Sequence, residues 1–205
     1  LPPMRYKADD RETVEYFKTI ANNTSLPIMI YNNPVDYKIE VTLDMFEELA
    51  ACPNIQYVKE STRDVTNITR MRNRFGSRFQ LFCGVDTLVM EELMLGADGI
   101  VGGLVDAFPQ ETVAIYKLVK AGMYKEALDI YRWFLPLLEL DSQPKLVQYI
   151  KLAATQTGIC TENVRAPRLK LEGKERETVL ATINKAMANR PALPDYLKLP
   201  SVVNV

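Results

Sequence analysis

Short apolar runs and amphipathic stretches alternate along the first 120 or so residues. Residues 27–31, Pro-Ile-Met-Ile-Tyr, form an apolar run with β-branched side chains, bounded by Pro27 and by Asn32-Asn33. It reads as a buried strand. Residues 42–50 open on a capping Thr42 and continue at helical spacing. Further strands are predicted at 55–59, 79–83 and 99–103. Each is followed by a helix: 64–75 ended by Gly76, 86–95 ended by Gly96, and 109–120 with Pro109 in its first turn and Gly122 past its end. One more helix, 9–22, precedes the first strand. Ahead of it Leu1-Pro-Pro reads as the tail of a strand already under way, so further residues are expected upstream.

Strict alternation of strand and helix implies an α/β fold with a parallel sheet. An open doubly wound sheet would carry a glycine-rich phosphate loop after a strand. Asn32-Asn-Pro and Glu60-Ser-Thr are not such loops. A (β/α)8 barrel instead places reactive side chains at the carboxyl ends of several strands. Tyr31, Lys59 and Gly84 stand at such ends, which favours the barrel. Past residue 122 three helices, 123–140, 144–157 and 173–189, follow with no strand between them. The expected organisation is therefore 1–122 as barrel and 123–205 as a helical C-terminal extension, with a proline-rich tail from Pro191 wrapping over the surface.

Composition narrows the chemistry. The 205 residues are 47% hydrophobic and 25% charged, with net charge −1. That balance gives no reason to expect nucleic acid or a membrane as partner. The arginines between Arg70 and Arg78 read as a solvated helix face. No apolar run approaches the ~20 residues needed to span a bilayer. Three scattered cysteines, Cys52, Cys83 and Cys160, argue against a disulfide framework and fit a reducing cytoplasm. There is no histidine. Ser-His-Asp triads and Cys-His dyads are thereby excluded, and zinc is disfavoured. Proton transfer falls to Tyr, Lys, Asp, Glu or water.

Lys59 is the residue that stands out. A lysine ending a buried strand is costly to desolvate. The plain alternative is that its stem packs while its ammonium snorkels to water. A chemical reading is that a partly dry barrel mouth favours the free amine, which attacks a ketone to form an imine. Strand parity is expected to put Ile55, Tyr57 and Lys59 on one face. Tyr31, ending the preceding strand, could neighbour Lys59 and relay protons. Asn32, Asn33 and Pro34 form the turn behind it. Gly84, and Val101 with Gly103 one strand further on, would leave room for substrate.

Tyr31-Asn-Asn-Pro34, Val58-Lys-Glu-Ser61, Cys83-Gly-Val-Asp86 and Gly96-Ala-Asp-Gly-Ile-Val-Gly-Gly103 resemble, in order and spacing, the dihydrodipicolinate synthase / N-acetylneuraminate lyase family. The resemblance runs from residue 1 to about residue 173. It implies a TIM barrel with a three-helix C-terminal extension, a homotetramer, and no metal or organic cofactor. Lys59 would be the Schiff-base residue and Tyr31 the proton relay. Gly84 and Val101 would line the pocket for a pyruvate-type 2-oxo acid, with Asn33 and Asp36 as further substrate contacts.

Three departures bear on the reaction. Asp36 stands where lysine-pathway synthases carry a carboxylate-gripping arginine. Arg5, in Met4-Arg-Tyr6, aligns best with the loop tyrosine lent to a neighbouring subunit. The Gly-Thr-Thr-type carboxylate loop of the family's first strands is absent, and the chain supplies about half a barrel, read as strands 5–8. The expected function is thus a Schiff-base lyase of the aldolase type. Its substrate would be a 2-keto-3-deoxy sugar acid, or a hydroxypyrroline carboxylate that is deaminated and dehydrated. The alternatives are a non-catalytic keto-acid-binding regulatory homologue and an inactive fragment.

Overall fold

Asp9 sets the first regular element. Its side chain accepts the Glu12 N–H at 2.8 Å while the Glu12 carboxylate accepts the Asp9 N–H at 3.0 Å, a reciprocal capping box. Helix α1 (Asp10–Asn22) follows, burying Val14 and Phe17. The computed structural model describes residues 1–3, 6–195 and 198–199. Leu1 to Pro3 form no strand, contrary to expectation. Pro2 and Pro3 carry no N–H to give to a ladder.

The chain divides into two units, Leu1–Val101 and Gly102–Val205. The first runs α1, β1 (Ile28–Asn32), α2 (Pro34–Tyr37), α3 (Leu43–Leu49), β2 (Ile55–Glu60), α4 (Thr66–Phe75), β3 (Gln80–Cys83), α5 (Val89–Met94) and β4 (Gly99–Ile100). The four strands form one parallel sheet in the order β1-β2-β3-β4. The α/β fold with a parallel sheet is as expected.

Several details differ. The run 86–95 is a 3-10 turn, Asp86–Leu88, leading into α5 rather than one helix. The strand expected over 99–103 is two residues long. One further ladder bond, Val101 N–H to Cys83 O at 2.9 Å, extends it before Gly102-Gly103, residues of poor strand propensity. The turn expected at Asn32-Asn33-Pro34 leads into helix α2, an element the sequence reading does not include. Its signal was present: Asn33 as N-cap accepting from Asp36 N–H, Pro34 at the first helical position and an acid at the third.

Register sorts the side chains into two faces. Ile30 pairs with Val58 and Val58 with Leu81; all three are at most 2% exposed. This face packs under the helices, together with Phe17, Phe46, Ile68 and Leu93. On the other face Tyr31 pairs with Lys59, and Lys59 with Phe82, all three part-exposed. Ile55 leaves the row expected for it. The pairing shifts between Ile28 and Met29, skipping Gln56, so Ile55 is fully buried while Tyr57 and Lys59 are not. An extra residue at a bulge reverses side-chain parity.

The second unit holds a 3-10 turn, Leu104–Ala107, then α6 (Pro109–Lys120), α7 (Tyr124–Leu138), α8 (Leu146–Gln156) and α9 (Gly173–Ala188). Phe108 meets the rings of Trp133 and Phe134 edge-on at 5.8 and 5.5 Å. Trp133 Nε1 donates to Ala186 O at 2.9 Å, tying α7 to α9. The three C-terminal helices were legible as apolar periodicity. The expected tail lies partly outside the described residues; 191–195 are without regular structure.

Candidate active site

The open face of β1, β2 and β3 carries the candidate chemistry. Tyr31 and Lys59 are Cα partners across β1 and β2. The Lys59 Nζ lies 4.1 Å from the centroid of the Tyr31 ring. An aromatic face attracts an ammonium through its quadrupole, so the ring holds the end of the Lys59 side chain over the face of Tyr31. On the other side Phe82 pairs with Lys59, and the Phe82 ring lies over Gly99, where an added Cβ would come within 2.8 Å of it.

Tyr31 is held from three directions. Lys59 covers its face, Tyr37 from α2 meets it edge-on at 5.5 Å and 84°, and Asn33 Nδ2 donates to its Oη at 3.1 Å. Burial, with Tyr31 and Asp36 nearby, raises the Tyr37 phenol above its usual range. Asn33 also donates to Asp36 Oδ2 at 2.6 Å and accepts from Asp36 N–H at 3.2 Å. Asn33 is 4% exposed, whereas Asp36 is exposed. The chain thus brings Tyr31, Asn33, Asp36 and Lys59 into one connected group.

Gly84 lies against the lysine. A Cβ there would sit 2.7 Å from Lys59 Cγ and 2.7 Å from Glu60 O, and would overlap Ser61 Oγ. Its N–H donates to Glu60 O at 2.7 Å. The bare backbone lets the lysine stem pass. Val101, one strand on, is bonded to Cys83 O and stands one residue beyond the Cys83–Ile100 pair, level with Gly84. Arg5 lies outside the described residues. Tyr6 is exposed and donates to Glu12 Oε1 at 2.7 Å, at the capping box of α1.

Behind the reactive face sits a set of buried polar groups that sequence reasoning missed. Asn32, fully buried, holds Val41 by both its backbone groups at 2.9 and 3.1 Å. Glu60, 1% exposed, accepts from Thr62 N–H at 2.7 Å and from Asn67 Nδ2 at 2.8 Å. Burial still raises its carboxyl above the ordinary value. Glu92 on α5 is 1% exposed, and burial, with Glu60 nearby, pushes it up to about 8. The neighbouring Cys83 thiol, driven up by burial, donates to Val85 O at 3.2 Å. A signal for Glu92 existed: it falls within the buried stripe of Val89, Met90 and Leu93. Ser61 Oγ is buried with no hydrogen-bond partner.

Among the described residues no group of three or more His, Cys, Asp or Glu side chains is placed to hold a metal ion. No helix among them is long and apolar enough to cross a membrane.

Comparison with known proteins agrees with the motifs. A 4-hydroxy-tetrahydrodipicolinate synthase of Aquifex aeolicus is 30% identical over 195 residues, covering 91% of this chain and 65% of that protein. One from Desulforamulus reducens is 31% identical over 194 residues, covering 89% and 62%. Among solved structures, the dihydrodipicolinate synthase of Aquifex aeolicus superposes with TM-score 0.81 at 27% identity over 92% of this chain and 64% of that one. The 4-hydroxy-tetrahydrodipicolinate synthase of Methylacidiphilum fumariolicum SolV gives 0.78 at 25%, over 89% and 62%. The chain therefore spans less than two thirds of the length of these relatives. The model of the Dihydrodipicolinate synthetase family matches residues 1–186, nearly the whole described chain, and includes the strand ends that carry Tyr31, Lys59 and Gly84. The chain belongs to that family.

Proposed function

We propose that this chain carries the imine-forming part of a lyase that acts on 2-oxo acids. One observation supports this best: Lys59 and Tyr31 stand in register on the open face of the sheet, with Gly84 making room for the lysine stem. In the proposed reaction the free Lys59 amine adds to the C2 ketone. The carbinolamine loses its hydroxyl as water, with Tyr31 delivering the proton. The resulting protonated imine withdraws the electron pair of the C3–C4 bond. As that bond breaks, the C4 hydroxyl returns a proton to Tyr31 and the C4 fragment leaves as an aldehyde, with an enamine left on Lys59. Reprotonation and hydrolysis return the amine and a 2-oxo acid. No metal or organic cofactor is invoked.

The substrate proposed is a 2-keto-3-deoxy sugar acid or a hydroxypyrroline carboxylate. Asp36, in place of the arginine that the lysine-pathway enzymes carry, argues against their substrate. We further propose that residues 1–122 correspond to strands 5–8 of a (β/α)8 barrel and residues 123–205 to its helical extension. The family's tetrameric assembly and cytoplasmic location belong to the same proposal. The test is borohydride reduction in the presence of pyruvate or a substrate panel. The expected result is an irreversible adduct on Lys59, absent in Lys59→Ala. No mass increase on Lys59 with any keto acid would sink the reading.

A further inference from the structure

A carboxamide has two N–H donors and one carbonyl oxygen. In Asn33 both donors are committed, one to Tyr31 Oη at 3.1 Å and one to Asp36 Oδ2 at 2.6 Å. The carbonyl oxygen accepts the Asp36 N–H at 3.2 Å, as the N-cap of α2. The side chain is 4% exposed. It has no N–H left for a substrate.

What it does have is a fixed direction. Asp36, one helical turn away, takes one N–H and thereby aims the other at the phenol. Tyr31 Oη must accept on that side. Its own proton is then turned away from Asn33. The ring cannot swing to change this, because Tyr37 blocks its edge and Lys59 its face.

We infer that Asn33 is a positioning residue for Tyr31, and that Asp36, through Asn33, sets the direction in which the phenol presents its proton. This rests on the reading of Lys59 and Tyr31 as imine-former and proton relay. It moves Asn33 from the substrate contacts to the group that acts through Tyr31. It also gives Asp36 a task besides any contact with substrate.

A pair of variants separates positioning from mere support of the turn. Asn33→Leu removes both donors at similar size. The double variant Asn33→Asp with Asp36→Asn exchanges amide and carboxylate, so the bridge between positions 33 and 36 is kept. The group facing Tyr31 then becomes an acceptor, and the phenol proton is drawn into it. Two readouts are used on the chain labelled with 13Cζ-tyrosine. One is the Tyr31 resonance, assigned by its loss in Tyr31→Phe. The other is the rate of borohydride trapping on Lys59 as a function of pyruvate concentration.

The expected result is a displaced Tyr31 resonance in both variants. Trapping at saturating pyruvate should slow by about tenfold or more, with the half-saturating concentration changed by less than about twofold. The double variant should unfold near the wild-type midpoint and still trap slowly. An unmoved Tyr31 resonance, a double variant that traps at the wild-type rate, or a loss confined to half-saturation would each overturn the inference. Should Asn33→Leu not fold, the double variant decides alone. If the wild-type chain is not trapped at all, the imine reading falls, and the resonance still decides whether Asn33 orients Tyr31.

Discussion

Lys59 and Tyr31 meet face to amine: the Nζ stands 4.1 Å from the ring centroid, and their Cα atoms are paired across β1 and β2. The ring holding the amine and the hydroxyl that would move the proton therefore belong to the same residue, and the two tasks can be separated by mutation. Tyr31→Phe keeps the ring and removes the hydroxyl. It is expected to leave Lys59 in place and to slow imine formation by roughly 100-fold or more, the range of general acid–base catalysis. Tyr31→Leu also removes the ring face and should slow it further. Single-turnover trapping of Lys59 across the series measures both steps. Equal rates in Tyr31→Phe and wild type would show that water carries the proton.

Gly84→Ala places a Cβ 2.7 Å from Lys59 Cγ and from Glu60 O. The clash involves backbone, so the strand end must shift. A loss on the order of 1–3 kcal/mol in urea unfolding is expected, together with a reduced yield of Lys59 adduct. An adduct yield equal to wild type would show that the lysine stem has another path.

The pH dependence of stability should carry the mark of Glu92. Its carboxyl is raised from the ordinary 4.5 to about 8 in the folded chain. Below 4.5 both states are protonated and the group has no effect. Between those values the unfolded chain has released the proton that the folded chain keeps, so stability falls as pH rises. The decline reaches on the order of 4–5 kcal/mol by pH 8. Glu60, raised in the same direction, adds to it. Glu92→Gln should flatten the slope and stabilise the chain at pH 8. Unfolding midpoints between pH 5 and pH 8 for both proteins check this, and parallel curves would rule it out.

Asn32→Leu should be among the costlier single changes. It strips two buried backbone groups of Val41 of their partners. Leaving such groups unpaired costs about 1–3 kcal/mol each. Calorimetry of the variant should show a lowered melting temperature. Ser61→Ala, which removes a buried hydroxyl with no partner, should be neutral or mildly stabilising by the same logic.

How much of this was legible beforehand differs by level. The apolar runs gave β1, β2 and β3 to within a residue or two, because a strand covered by helices needs an unbroken apolar run on one face. Gly76 and Gly122 marked helix ends correctly, since both adopt positive φ. The pairing of Tyr31 with Lys59 could be guessed from strand ends alone. The bulge at Gln56 could not, because one extra residue leaves no mark in composition. Glu92 was hidden for another reason. A carboxylic acid held uncharged among Val89, Met90 and Leu93 is written with the same letter as a solvated glutamate, and its spacing from those residues is the trace it leaves in the sequence. Asn33 looked like a turn residue but caps α2, and its side chain also faces inward to Tyr31.

The succession Lys59-Glu60 has one more consequence. These neighbours lie on opposite faces of β2, one against an aromatic ring in the open, the other sealed under helices with Asn67. A slip of β2 by a single residue would drive the ammonium into the apolar layer and hand the reactive face a carboxylate. The first misplacement would be heavily penalised, and the second would leave the buried Asn67 amide without its acceptor. A chain with β2 paired one step out of line would carry both errors at once, so the two residues together disfavour that register.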